Sequence, residues 1–532
     1  MNYALTSSQM KACDENTAEH FGLSSLILQE RAALAVCDYI SQELALTAPQ
    51  EILIYAGDGN NGADALACAR ILTERGHRVR TRLTGSGNNR TPEWETQKRI
   101  LDAYGIGTEA FAPKKEAEAV PGLILDGMLG AGLTRALAGR VKEAAEEIGV
   151  LRERGARVIA IDLPTGVHAD DGQVQGCAVR ADHTVTFAFA KTGLLLYPGA
   201  EYAGTLTVAD IGITEASFLP GTEKAVVPAA CYYGAPEQLV LPQRKPDGNK
   251  GTFGKVLVIA GSGEISGAAI LCATAALRSG CGMVKVLTHR ANREVLALAL
   301  PEAMCTVYDD TLTADDPVIR KALDWADVIV LGPGIGTGQT GRSLTGAVLD
   351  DRRLPLVADA DALNLMAADR ELFEKARVYA AEGRPFLVTP HLREFARLFS
   401  RATGQETDAK ECAANLLTCP RRLSAAMHAT VLCKDARSIV ADETKEQCYI
   451  NLSGHAGMAT AGAGDVLAGL CGALLAQGMN GFEAAATSAY LHGLSGDNAR
   501  DAIGESAMLA GDIAARLSLF IEQAGKEKEQ HA

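Results

Sequence analysis

Residues 51–70 read EILIYAGDGNNGADALACAR. A short apolar run with β-branched residues meets a turn of Gly, Asp and Asn, and the turn opens into Ala, Leu and Cys at helical spacing. Strand, glycine turn and helix in that order make the repeating unit of a parallel α/β sheet. The unit recurs. GLILDGMLG (122–130), RVIAIDLPTG (157–166), HTVTFAFAK (183–191) and GTLTVADIG (204–212) each end a strand pattern on Gly, Asp or another polar residue. SSLILQERAALAVCDYI (24–40) has helical periodicity and reads as one of the leading helices.

A second run of the same kind begins after a stretch rich in Pro and Gly. GKVLVIAGSG (254–263) is a strand and a glycine turn, and SGAAILCATAALRSGCG (266–282) is a helix of small residues that ends on Gly. DVIVLGPGIG (327–336), PLVADADALN (355–364) and PFLVTPHLREFARL (385–398) repeat the pattern. The fold class is therefore α/β, with a Rossmann-like three-layer parallel sheet domain over 1–225, a linker over 226–247 and a second α/β domain over 248–525. A length of 532 residues suits two large domains. GKEKEQHA (525–532) reads as a frayed tail.

The totals exclude several classes. Net charge is −14 with no block of Lys or Arg, a poor match for a nucleic acid. No apolar run reaches the ~20 residues of a membrane helix, and the N-terminus has no basic start followed by an apolar stretch. Thirteen dispersed Cys read as reduced thiols, which places the chain in the cytoplasm.

Gly57, Gly59 and Gly62 spell GxGxxG, a dinucleotide-binding fingerprint. The following strand, HRVRTRLTG (77–85), offers Arg78, Arg80 and Arg82 instead of the ribose-binding acid, so a 2′-phosphate is the alternative ligand there. The turn also carries Asn60, Asn61 and Asp64, and two further strands end in Asp126 and Asp162. Strand ends of a parallel sheet converge on one crevice, which would then collect Asn61, Asp126, Asp162 and Thr165. Such hard oxygens suit an alkali or alkaline-earth cation better than zinc. GMLGAGLTRALAG (127–139) is a Gly-rich turn suited to phosphate, and Lys191 at the end of its strand can meet an anion or move a proton. Asn and Asp after strands also serve as plain helix caps.

Near the C-terminus, NLSGHAGMATAGAGDVLAGL (451–470) has small side chains almost throughout, then one carboxylate, Asp465. Gly and Ala leave backbone N–H groups open to an anion at a helix start. A carboxylate placed there can take the proton of a hydroxyl that attacks phosphorus. His391, Glu394 and Arg397 follow one strand, Gly332, Gly334 and Gly336 another, and Asp359, Asp361 and Asn364 a third. Lys434 ends a fourth.

NNGAD (60–64), DGMLGAGL (126–133) and DLPTG (162–166) resemble the NAD(P)H-hydrate epimerases over most of 1–215. That resemblance implies a potassium ion at Asn61, Asp126 and Thr165. It implies substrate contacts at Asn60, Asn61, Gly62, Ala63 and Asp64, at Gly130, Ala131, Gly132, Leu133, Thr134, Arg135 and Ala136, and at Asp162. Asp162 and Lys191 are the candidates for proton transfer. KGTFGKV (250–256), PGIG, DADALN, TPHLREFARL, KDAR and GHAGMATAGAGDVL (454–467) resemble, in this order, the ADP/ATP-dependent NAD(P)H-hydrate dehydratases. Those have a ribokinase-like fold. The likeness implies hydrate contacts at Ala268 and Gly334, at His391, Leu392, Arg393, Glu394, Phe395, Ala396 and Arg397, and at Asp465 as catalytic base. It implies nucleotide contacts at Lys434, Asp435, Ala436, Arg437 and Ser438. His455, Ala456, Gly457, Met458, Ala459, Thr460, Ala461, Gly462, Ala463 and Gly464 complete the nucleotide set. Ala63, Arg393 and Asp435 stand where these families usually have Gly.

The two resemblances together imply a bifunctional repair enzyme. It would interconvert the epimers of hydrated NADH or NADPH, then dehydrate one with ADP or ATP, magnesium accompanying the nucleotide. Small-molecule substrates and a homo-oligomer are expected, with no nucleic acid or membrane partner. A kinase for a small alcohol, a dehydrogenase using the GxGxxG turn and a first domain that only binds are the rival readings.

Overall fold

Parallel pairing dominates both halves of the chain. The structure, a computed structural model, describes residues 1–43, 49–88, 90–113, 119–244 and 246–526. Lys245 of the expected linker, and the expected tail from 527 onward, lie outside the described residues. The chain divides into two compact units, residues 2–230 and residues from 231 onward.

In the first unit seven strands run in the order Glu109–Ala110, Arg78–Leu83, Glu51–Ala56, Leu123–Gly127, Arg157–Ile161, His183–Phe187, Thr205–Ala209, all parallel. The chain winds outward from Glu51–Ala56 to one edge, then returns to build the other side from Leu123–Gly127. The C-terminal ends of these two strands are thus the point where winding reverses, and a crevice opens there. The turn before helix Asn60–Glu74 and the loop at Met128–Gly130 both leave from this point. Close approach explains the glycines. A Cβ at Gly57 would stand 1.8 Å from the Met128 carbonyl oxygen, and one at Gly62 would stand 2.1 Å from that of Gly57. The helix is buried along most of its length, and its apolar residues join the core with Ile52, Ile54 and Leu125.

Two features of this unit differ from the sequence reading. A short strand, Asn2–Leu5, precedes the leading helices Ser7–Phe21 and Ser25–Glu43. The strand read as 183–191 stops at Phe187, because Ala188 turns to φ +62°. Lys191 therefore lies on a separate two-residue strand, Ala190–Lys191, parallel to Asn2–Leu5.

In the second unit the order is Met304–Tyr308, Met283–His289, Lys255–Ile259, Val328–Leu331, Leu356–Ala358, Phe386–Val388, Thr430–Cys433. These are parallel, and the antiparallel strands Ile439–Ala441 and Cys448–Ile450 extend the sheet. Winding reverses between Lys255–Ile259 and Val328–Leu331. Helix Ala463–Ala476 packs on this sheet and on helix Gly267–Arg278 at a distance only glycine permits. A Cβ at Gly469 would lie 2.1 Å from the Cys272 carbonyl oxygen, and one at Gly472 would lie 2.3 Å from Val330. The stretch 226–247, read as irregular, holds a strand, Ala230–Tyr232, and a 3₁₀ turn, Pro236–Gln238. No described helix is long and apolar enough to cross a membrane.

The contact at Gly57 yields a stability prediction. Gly57→Ala forces its methyl into backbone, which cannot yield as a side-chain tip can, and costs about 1–3 kcal/mol. The thermal transition of the first unit should fall by several degrees, and an unchanged melt would contradict this packing.

Candidate functional site

At the reversal point of the first sheet, Asp126 is fully buried and accepts three hydrogen bonds, one short of what a carboxylate can take. The Thr165 N–H donates to Oδ2 and its hydroxyl to Oδ1, both at 2.7 Å, and the Met128 N–H donates to Oδ1 at 3.2 Å. Burial lifts the Asp126 carboxyl to about 6 against the pull of those donors. The Leu129 N–H donates to the Thr165 hydroxyl at 3.1 Å, which ties the Gly130 loop to the same group. A Cβ at Gly130 would meet Asn61 at 3.3 Å and Asp162 Oδ2 at 3.7 Å, so the bare loop lies over both. Asn61 is buried, yet neither polar atom of its side chain has a partner, and Asp64 Oδ1 is likewise orphaned. Buried polar atoms without partners point to a ligand.

Asp162 adopts φ +64°, a costly conformation for a residue with a Cβ. Its Oδ1 accepts the Lys191 ammonium at 2.6 Å and the Thr186 hydroxyl at 2.9 Å. Lys191, 2% exposed, also donates to the Phe187 carbonyl at 3.1 Å. Burial first, then the charges of Asp162 and Asp14, push the Asp64 carboxyl well above its usual range, with Lys191 opposing. Desolvation raises Asp14 to about 6, with Lys191 opposing and Asp162 adding. Arg82 is not free to meet a 2′-phosphate: it is buried, and it donates to Glu147, Glu109 and the Tyr55 hydroxyl.

The second unit repeats the arrangement. Asp359 is buried, and its Oδ1 accepts the Lys434 ammonium at 2.7 Å and the Thr389 hydroxyl at 2.8 Å. Asp465 is the third residue of helix Ala463–Ala476, whose N-cap Gly462 has φ +91°. A Cβ at Gly464 would lie 3.1 Å from Lys434 Nζ and 3.8 Å from Asp359 Oδ2. Burial and the Asp359 charge lift the Asp465 carboxyl to about 7, with Lys434 pulling the other way. His391 caps helix Leu392–Thr403 in a reciprocal box: its ring accepts from the Arg393 and Glu394 N–H groups, and Glu394 accepts from its N–H at 3.0 Å. Burial works to raise Glu394, but the His391 donors and the Lys434 charge hold it below its ordinary value.

The remaining sequence candidates divide by burial. Around the first crevice Asn60, Gly132, Thr134, Arg135 and Ala136 are exposed and Ala131 is half-buried. Ala63 and Leu133 are buried within apolar clusters, so their side chains are packing and not lining. In the second unit Phe395 and Ala396 belong to the core and Leu392 packs against it, whereas Arg393 is exposed. Arg397 donates to Asn364 at 2.6 Å. Asp435, Ala436, Arg437 and Ser438 form a turn at the surface, where Arg437 donates to the Leu452 carbonyl. Ala456, Ala459 and Ala461 are exposed, Thr460 is half-buried and Ala463 is buried. His455 pins this loop, accepting from the Gly457 N–H and facing the Gly496 carbonyl at 3.1 Å. Met458 fills the space against Gly454 and Gly496. Ala268 lies beside Gly334, whose Cβ would meet it at 3.2 Å.

Sequence reasoning missed Asp14 and His492 and left Asp359 without a role. Asp14 sits in a helix far upstream of every motif. His492, buried in helix Gly481–Ile503 and hydrogen-bonded to the Ala463 backbone, is lowered to about 4 by burial first. Asp359 did have a signal, since it follows a strand like Asp162.

The relatives run along nearly the full length of the chain. A bifunctional NAD(P)H-hydrate repair enzyme of Moorella thermoacetica is 34% identical, over 99% of this chain and 98% of its own length. The chain belongs to the bifunctional NAD(P)H-hydrate repair enzymes. The Thermofilum pendens repair enzyme is 32% identical over 94% of this chain and 93% of its own. The family model for the YjeF-related protein N-terminus matches residues 25–193, and that for NAD(P)H-hydrate dehydratase matches 256–518. A solved ribokinase-like superfamily protein of Enterococcus faecalis is 28% identical over 56% of this chain and 97% of its own, with a TM-score of 0.46. Both family units of a repair enzyme are thus present, in the same order along the chain.

The electrostatics of Asp465 can be measured. Lys434→Met removes the charge that opposes its upward shift, so the carboxyl should titrate above about 7. Carbon-13 NMR of labelled Asp would read this, and an unmoved midpoint would show that Lys434 does not reach it.

Proposed function

We propose that residues 1–225 epimerise hydrated NADH or NADPH and that residues 248–525 dehydrate one epimer with ADP or ATP, 226–247 linking the two. The observation that carries the second activity is Asp465 at a glycine-lined helix start, lifted to about 7 beside the Asp359–Lys434 pair. A base of that affinity exchanges a proton readily near neutrality. Asp465 takes the proton of the ring hydroxyl as its oxygen attacks phosphorus. Backbone N–H groups of Gly462 and Gly464 meet the phosphoryl group, while Lys434 to Ser438 and the loop from His455 hold the nucleotide, with magnesium as its counter-charge. His391, Glu394, Arg397, Ala268 and Gly334 face the hydrate. Phosphate then leaves, expelled by the ring nitrogen's lone pair, and loss of a proton from the neighbouring carbon restores the double bond.

In the first unit Asp162 is the proton-transfer residue. Lys191 and Thr186 occupy its Oδ1 and leave Oδ2 turned toward Gly130 and Asn61. Lys191 pairs with this carboxylate, and Asp64, its carboxyl raised mainly by burial, supplies a second acid in the same recess. Potassium fits here: the orphaned Asn61 amide, the Asp126 carboxylate and Thr165 are hard oxygen donors that would hold it. When bound it would supply a fixed positive charge that favours an anionic group of the substrate in this recess. One stereoselective dehydration would strand the other epimer, which is the chemical reason for joining the two activities.

Incubation of the protein with mixed epimers of NADPH hydrate, with and without ADP or ATP, tests the reading. Asp465→Asn should cut nucleotide-driven recovery of the dihydronicotinamide absorbance about 100-fold or more. Epimer exchange should persist in that variant, while Asp162→Asn should do the reverse. Accumulation of a stable phosphorylated product would indicate a small-alcohol kinase instead. Because Asp465 acts only when ionised, kcat/KM should rise with pH along a limb centred near 7, and a flat profile from pH 5 to 8 would remove Asp465 as the base.

A further inference from the structure

Helix Gly267–Arg278 buries Ala269, Cys272, Ala273 and Ala276, its Cys272 backbone against Gly469 of the helix that carries Asp465. At a spacing of three, Ile265 just before the helix, the buried Ala268 and the half-buried Leu271 make a second stripe. Ile265 closes the turn Ser262–Ile265 just before the helix, and it is 44% exposed. The Ser262 N–H donates to the Ile265 carbonyl at 3.0 Å, and the Ile265 N–H donates back at 3.3 Å. The buried Asn292 amide donates to both carbonyls, at 3.0 and 3.3 Å, and to the Thr288 hydroxyl at 2.9 Å. A buried amide is thus committed to fixing the two residues that close the turn, one of them an exposed isoleucine.

The stripe spans the site. At one end a Cβ on Gly334 would lie 2.8 Å from Ile265 and 3.2 Å from Ala268. At the other, a Cβ on Gly462 would lie 2.4 Å from Leu271 and 3.9 Å from Asp465 Oδ2. These three side chains have no donor or acceptor and cannot bind phosphate, whereas they match the face of a partly reduced pyridine ring.

We propose that Ile265, Ala268 and Leu271 form a wall that keeps water from the reacting ring; this rests on the dehydratase reading above. When the C–O bond to phosphate breaks, its electron pair leaves with the phosphate and the ring nitrogen's lone pair forms a C=N bond. The resulting cation has two fates. Loss of a proton from the adjacent carbon gives the dihydropyridine. Attack by water forms a new C–O bond, releases a proton and regenerates the hydrate, so the nucleotide has been hydrolysed for nothing. Exclusion of water favours the first fate.

The coupling ratio, nucleotide consumed per NADPH restored from its hydrate, tests this in the full-length protein. Wild type should give about one, and Ile265→Ser and Leu271→Ser at least about twice that ratio, with Ile265→Val close to wild type. Exposed Ile265 makes its serine variant the deciding one if Leu271→Ser melts early. If Ile265→Ser slows nucleotide use and NADPH recovery in proportion, with the ratio still at one, the wall does not exclude water and the proposal falls. If wild type itself restores no NADPH, the dehydratase reading fails instead, whatever the variants do.

Discussion

Both active units rest on one buried interaction, a lysine and a threonine sharing a single carboxylate oxygen. In the first, Lys191 and Thr186 meet Asp162 Oδ1; in the second, Lys434 and Thr389 meet Asp359 Oδ1. Desolvating an ammonium and a carboxylate costs several kcal/mol per ion unless contacts are short and remaining valences are filled. Here the contacts are 2.6 and 2.7 Å, and a hydroxyl fills one further position. The geometry follows from the sheets. An Asp directly after one parallel strand, a Thr from its neighbour and a Lys farther along come together at the C-terminal edge because all the strands point one way.

That neutralised pair governs the acid beside it. Asp64 in the first unit and Asp465 in the second sit in low-dielectric surroundings close to a carboxylate whose own charge is already held. Burial and the neighbouring carboxylate raise both, and the lysine limits the rise. The second unit thereby obtains an acid that exchanges protons near neutrality, and in the first unit the Asp64 carboxyl is likewise held well above its range in water.

Close packing is the second constraint. Gly57, Gly62, Gly469 and Gly472 each stand where a methyl would enter backbone or a strand side chain: the first two let the turn at 57–62 close against itself and the Met128 loop, the last two let a helix approach another helix and the sheet. Gly462 and Gly464 also remove bulk, but beside Lys434 and Asp465, in the space where we place the phosphoryl group. The run of small residues near the C-terminus thus serves two ends, separated by about one helical turn.

The sequence alone determined the α/β class, the strand-turn-helix units and the short motifs, because hydrophobic period and turn chemistry are local properties that each segment carries by itself. Asn61, Asp126, Asp162, Thr165 and Asp465 were legible for that reason: each stands right after, or at the end of, a strand pattern or glycine turn. Only the tertiary structure decided what those residues face. It moved Lys191 off its strand through the turn at Ala188, committed Arg82 to an internal ion pair, sent Leu133, Phe395 and Ala396 into the core, and brought Asp14, Asp359 and His492 to the sites. The physical reason is that charge pairing and burial depend on distances between segments far apart in the chain, and the order of strands in a sheet sets those distances.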